Sequence, residues 1–148
     1  MKPFGMPPAF CIRLSVMTDE SDFMENNMDE NTQIMIWDSA DVLKRVMGKE
    51  KILKVLVAAF LVDMPNYVQI LEGELNNKDV SAAAKTAHTI KGAAGNMSTL
   101  ALADLAKDIE RACLDESSID EILTFHAKLM QVFPLTCNEL SAWLSEHS

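Results

Sequence analysis

From Ile34 onward the apolar residues recur every three or four positions, the spacing of helices that bury one stripe. Asp38 and Ser39, both N-cap types, precede a short helix that ends near Gly48. A helix over about 49–63 aligns Ile52, Val55, Leu56, Ala59 and Phe60, which predicts these five as its buried side. Pro65 restarts or kinks that helix, and Tyr67, Ile70, Leu71 and Leu75 continue the pattern. Asn76-Asn77-Lys78-Asp79 forms a turn, and Asp79 caps a helix over about 80–97. Ser98 or Thr99 caps the next, about 100–115, with Leu102, Leu105, Ala106, Ile109 and Cys113 as its apolar positions. Ser117-Ser118 opens a last helical region that carries Ile119, Ile122, Leu123, Leu129, Met130, Phe133, Leu140 and Leu144. Pro134 kinks it or divides it in two. Short connections make antiparallel neighbours, so the expected fold is all-α over 32–148. It is an up-and-down four-helix bundle with a short extra helix at its N-terminal end. Such bundles serve unrelated functions, and the fold alone selects none.

Composition agrees with helices and narrows the partners. Ala, Leu and Met dominate the apolar residues, and 5 Gly and 5 Pro leave few turns for a sheet protein of 148 residues. Residues 1–31 hold Pro3, Pro7, Pro8 and an acidic, Asn-rich run without period, which reads as a disordered tail. Met17, Met24 and Met28 each offer an internal start within it. The formal net charge of −9, without a basic stripe, argues against nucleic acid and for a solvated acidic surface. Cys11, Cys113 and Cys137 have no CxxC spacing and an odd count, as expected of reduced thiols. No stretch approaches the roughly 20 apolar residues of a membrane span. Arg13 interrupts the apolar run of residues 9–17, and acidic residues follow where a signal peptide needs small ones. The expectation is a monomeric cytoplasmic protein.

The chemistry concentrates between Ser81 and Met97. At about 100° per residue, Ala83, Ala87, Ile90, Ala94 and Met97 fall on one stripe, the expected core side. Ser81, Ala84, Lys85, Lys91, Gly92 and Gly95 fall within roughly 60° of His88 on the other. Glycine inside a helix costs about 1 kcal/mol relative to alanine, so two of them beside a histidine need a reason. Access is one: without a Cβ at Gly92, another protein can approach the imidazole closely. Neutral imidazole is a nucleophile that forms covalent intermediates, and nearby ammonium groups favour the neutral ring. A phosphorylated ring would carry about two negative charges, which Lys91, and secondarily Lys85, would offset. A lone helix histidine between lysines is ordinarily a surface residue; the conjunction A-H-x-x-K-G-x-x-G reverses that preference.

The run AHTIKGAAGNM resembles the signature of histidine-containing phosphotransfer (HPt) domains. The resemblance implies that His88 is the phosphoacceptor, that Lys91 supports the phosphoryl group and that Gly92 opens the surface; the helical spacing adds Gly95 and Ala84 to the expected docking side. Weaker similarity runs through 36–112, at Trp37-Asp38, Leu43, Phe60, Pro65 and Leu105 to Glu110. Where the family commonly has a glycine two or three residues after the Gly-Asn pair, this chain has Ser98-Thr99, which implies a slightly altered turn. The resemblance also implies a phosphorelay carrier between receiver domains of response regulators and hybrid kinases. Such a carrier has no kinase machinery, metal or cofactor of its own, and Mg²⁺ belongs to the receiver. Two rivals stand beside it: a helical module that binds a receiver or another regulator without carrying phosphate, and an enzyme using His88 as a general base. His126 is expected at a core edge and His147 in a frayed C-terminus.

Overall fold

The computed structural model describes residues 35–147, so the tail expected over 1–31 lies outside the described residues, as does Cys11. Five helices follow in order: α1 Ser39–Arg45, α2 Glu50–Asn76, α3 Val80–Asn96, α4 Leu100–Leu114 and α5 Ile119–His147. No strand occurs among the described residues. The connections between the four long helices span only residues 77–79, 97–99 and 115–118, which forces antiparallel packing. α2 packs on α3, α3 on α4 and α4 on α5, while α5 returns against α2 and closes the bundle. This is the all-α four-helix bundle with a short leading helix that the periodicity predicts.

The helix ends repeat one device. Lys78, Ser98 and Glu116 each take a left-handed backbone (φ 58°, 56° and 58°) just after α2, α3 and α4. The following N–H groups reach back to orphan carbonyls: Asp79 to Glu74 (2.8 Å), Thr99 to Ala94 (3.0 Å) and Ser117 to Ala112 (2.9 Å). Asp79 caps α3 as expected, accepting from the Ala82 N–H at 3.2 Å. Thr99 occupies the N-cap position of α4, but its hydroxyl donates backward to the Ala94 carbonyl at 2.9 Å and makes no forward cap.

Neither internal proline divides its helix. α2 runs 27 residues through Pro65, and α5 runs 29 through Pro134. An interior proline costs about 3 kcal/mol. Buried residues on both sides outweigh it, at about 1.5–3 kcal/mol for each large apolar side chain. In α2 these are Leu53, Val57, Phe60 and Met64 before the proline, then Val68, Leu71 and Leu75. In α5 they are Ile122 and Leu129, then Leu140.

The buried side of α2 corrects the sequence expectation. Of the five residues expected inside, only Phe60 is buried; Ile52, Val55, Leu56 and Ala59 are exposed, Val55 by 67%. Ile70 is exposed too, as is Leu123 on α5. The α2 sequence carries two overlapping apolar stripes. The Ile52 stripe runs into Asp63 and Asn66 within about four turns, whereas Leu53, Val57, Phe60, Met64, Val68, Leu71 and Leu75 stay apolar along the whole helix. The longer stripe gains more burial and faces inward. Apolar residues on both sides also make α2 long and apolar enough by composition to cross a membrane, nearer to a span than the sequence reading allowed. Seven of its residues nonetheless form bundle core.

α1 braces the turn between α3 and α4. The Trp37 indole N–H donates to the Met97 carbonyl at 2.8 Å, and the Asp38 N–H donates to the Ser98 carbonyl at 2.9 Å. The Ser98 hydroxyl donates to Asp41 at 2.6 Å and accepts from Arg45 at 2.8 Å. The Ser98 bond, with help from Arg45, holds the Asp41 carboxyl below its ordinary range. At Ser98-Thr99, a serine takes the left-handed backbone that glycine would adopt freely, with the same geometry as the turns at Lys78 and Glu116, and its buried hydroxyl is hydrogen-bonded to both Asp41 and Arg45. Ser98→Ala is expected to cost about 1–2 kcal/mol, for the lost hydrogen bonds. Ser98→Gly should cost less, because glycine relieves about 1–2 kcal/mol of left-handed strain. Urea midpoints should therefore fall in the order parent, Gly variant, Ala variant; a Gly variant below the Ala variant would refute this account of the turn.

Candidate functional site

α3 has little side-chain volume on its inner side: Ala83, Ala84, Ala87, Ile90 and Ala94 are buried, and Met97 is buried just past its end. Such small residues let α4 approach closely. Ala84 was expected on the docking surface and is instead only 6% exposed. It lies about 60° from Ala87 and about 40° from His88, at the border between the core stripe and the outer face. Ala84 is therefore core, and it leaves the accessible set.

The remaining members of the face stay outside. The His88 side chain is 66% exposed. Gly92 is exposed and Gly95 half-buried, and a Cβ built on either would meet nothing within 4 Å. Neither glycine is demanded by packing among the described residues. Lys85 is exposed and makes no ion pair among the described residues; its carbonyl accepts from the Thr89 hydroxyl at 3.2 Å.

The structure adds a residue that the sequence reading passed over. Glu110 of α4 reaches across to α3 and uses both oxygens there. Oε2 lies 2.9 Å from His88 Nδ1, and Oε1 lies 2.8 Å from Lys91 Nζ. The Lys91 hydrogen bond, supported by that of His88 and opposed by partial burial, holds the Glu110 carboxyl below its ordinary range. An ionised carboxylate only accepts, so Nδ1 carries a hydrogen and donates it. In the neutral ring the lone pair is then on Nε2. Sequence reasoning took the two lysines as the only charges near the ring, and the structure brings a carboxylate between His88 and Lys91. A signal was available: His88 and Glu110 lie eleven residues either side of Thr99, in the tight turn between two antiparallel helices. Residues equidistant from such a turn stand at the same level of the bundle.

Beside the site is an open hollow lined by Lys91, Lys107, Glu110, Arg111, Leu114 and Asp115. The other histidines are differently placed. His126 is half-buried at the core edge, and burial, partly offset by Glu72, holds its imidazole below the usual range. His147 is not frayed: it is helical, donates to the Trp143 carbonyl at 2.8 Å and stacks on the Trp143 ring at 4.2 Å. Among the described residues no cluster of His, Cys, Asp and Glu could hold a metal ion. Cys113 and Cys137 are free thiols pushed up by burial, Cys137 to about 11.

Fold and site together define a helical bundle that presents one imidazole on an outer helix face, oriented by a carboxylate from the next helix. The family model of the Hpt domain matches residues 55–143, and the chain belongs to the Hpt domain family, whose members are phosphocarriers in phosphorelays rather than kinases. Among solved structures the chain is similar in fold to histidine-containing phosphotransfer protein B (HptB) from Pseudomonas aeruginosa PAO1. That similarity has a TM-score of 0.69 and 20% sequence identity, covering 75% of this chain and 96% of the other. No curated protein sequence matches this chain.

Proposed function

We propose that His88 accepts a phosphoryl group on Nε2 from a receiver-domain aspartate and passes it to the aspartate of another receiver. The observation that carries this reading is the pairing of exposure with orientation. The ring is mostly solvent-accessible, and its Nδ1 is engaged by Glu110, so that Nε2 is the free nucleophile. Gly92 and Gly95 leave room beside the ring for the receiver, which would bring the Mg²⁺ and the acidic pocket. Phosphoryl transfer is largely alignment and charge stabilisation, and Lys91 stands one turn from His88 to offset the arriving charge, with Lys85 one turn before. Incubation with a receiver phosphorylated on aspartate tests the reading. Label should move to this protein as an acid-labile, base-stable adduct. Complex formation with the label left on the receiver would make the protein a binding module instead.

Lys91→Ala separates charge from packing. The pair is partly buried, with the lysine side chain 35% and the glutamate 17% exposed, so the loss of stability should stay within about 2 kcal/mol. Transfer to His88 should slow on the order of tenfold, for the loss of one cation near the phosphoryl oxygens. Stopped-flow transfer and a urea melt on the same sample read both quantities. Unchanged transfer would return Lys91 to a purely structural partner of Glu110.

A further inference from the structure

We infer that Glu110 keeps the Nδ1 proton on the phosphorylated ring of His88 and so keeps the N–P bond ready to break. The inference rests on His88 being the phosphoacceptor and deepens that reading. In the accepting step the Nε2 lone pair forms the N–P bond, while the P–O bond of the receiver's aspartyl phosphate breaks and its electron pair stays on the carboxylate. The ring that entered as neutral imidazole, with hydrogen on Nδ1, becomes a phosphoryl-imidazolium with that hydrogen still in place. In the onward step an aspartate oxygen of the next receiver bonds to phosphorus. The N–P pair returns to Nε2, and neutral imidazole leaves. No proton is exchanged with solvent in either direction.

If the Nδ1 proton is lost meanwhile, the leaving group becomes an imidazolate anion, a far stronger base and a far poorer leaving group. The phosphoryl group is then stranded. What prevents this is a hydrogen bond from Nδ1–H to a full negative charge. Glu110 Oε2 provides it at 2.9 Å, from a carboxylate whose side chain is only 17% exposed. The bond is charge-assisted once the ring is cationic, and such bonds are roughly twice as strong as neutral ones. Lys91 on the other oxygen keeps Glu110 ionised and fixed in place. α3 is packed against α4 and α2. Among the described residues the charged groups around the site are Lys85 and Lys91 of α3, Lys107, Glu110 and Arg111 of α4, and Asp115 just past its end; no residue lining the hollow comes from α2. Of these, Glu110 is the carboxylate that contacts the ring. Glu110 is thus a positioning residue whose second task begins after the phosphoryl group has arrived.

The test is the pH dependence of phosphoryl loss from the labelled protein, both to a receiver and to water, for parent and Glu110→Gln. The amide matches the carboxylate in size and can still touch Nδ1, but it has no charge to hold the proton. Both proteins should lose label at similar rates at acid pH, where the phosphorylated ring is protonated regardless. As pH rises the variant should slow first, reaching roughly a tenfold deficit before the parent also slows. Parallel profiles offset by a constant factor at all pH values would mean that Glu110 only orients the ring, and would overturn the inference while leaving His88 as phosphoacceptor. Should the variant be poorly folded, ¹⁵N shifts of the phosphorylated imidazole in the parent answer the same question. Nδ1 must remain protonated to higher pH in the native protein than in the same chain in urea, and equal titrations overturn the proposal. Failure of the parent to take label on His88 overturns the phosphoacceptor reading and this inference together.

Discussion

His88→Gln is expected to abolish phosphoryl labelling completely while leaving helicity and thermal melting unchanged. The replaced side chain is 66% exposed, so its packing contributes little to the fold. Glutamine is tolerated in a helix, and its amide N–H can still donate to Glu110. What disappears is the imidazole lone pair. No other described histidine can substitute for it. His126 Nε2 is buried without a hydrogen-bond partner, and His147 is stacked on Trp143 and bonded to its carbonyl. Labelling with a phosphorylated receiver, followed by acid and base treatment, gives the readout. Acid-labile label persisting on the variant would exclude His88 as the acceptor.

Gly92→Leu should produce the opposite separation, with an intact or firmer fold and a severe loss of transfer from a receiver. Leucine is a better helix former than glycine by roughly 0.8 kcal/mol. A Cβ at this position meets nothing within 4 Å, so no packing cost offsets that gain. The new side chain would stand one turn from His88, in the space through which a folded receiver must bring its aspartyl phosphate. Transfer from a receiver should fall on the order of a hundredfold, as expected when the reacting atoms are held about 1 Å from alignment. Phosphoramidate, a donor small enough to pass the leucine, should be far less affected. Equal inhibition of both donors would show that the glycine shapes the imidazole site itself. Inhibition of neither would end the access argument.

The reach of the sequence is clearest along α3. Its core stripe of Ala83, Ala87, Ile90, Ala94 and Met97 is buried as the 3.6-residue period requires, and His88, Lys85 and Gly92 lie outside. The turns are legible for a similar reason: Asp79 and Ser118 cap α3 and α5 through side-chain bonds to the N–H three residues on. These features depend on residues within a turn or two of each other, and that information is written contiguously in the chain.

What escaped depends on residues brought together from afar. Two apolar stripes on α2 are equivalent over its first turns, and only the full length of the helix, where Asp63 and Asn66 interrupt the Ile52 stripe, favours burying Leu53. Ala84 lies on the outer face of an isolated helix, yet in the bundle it is only 6% exposed. Pro65 and Pro134 read locally as kinks or breaks, and burial on both sides keeps each helix continuous through them. Ser98 is a departure from a glycine in one dimension and the centre of an α1 clamp in three. The site divides along the same line. The chain itself determined a histidine with lysines and glycines on one helix face, because a helix places neighbours by their spacing alone. The carboxylate that orients the ring was decided by the tertiary structure. Glu110 is 22 residues from His88, and only the antiparallel packing of α4 on α3 makes an acidic residue on a solvated helix the hydrogen-bond partner of an imidazole.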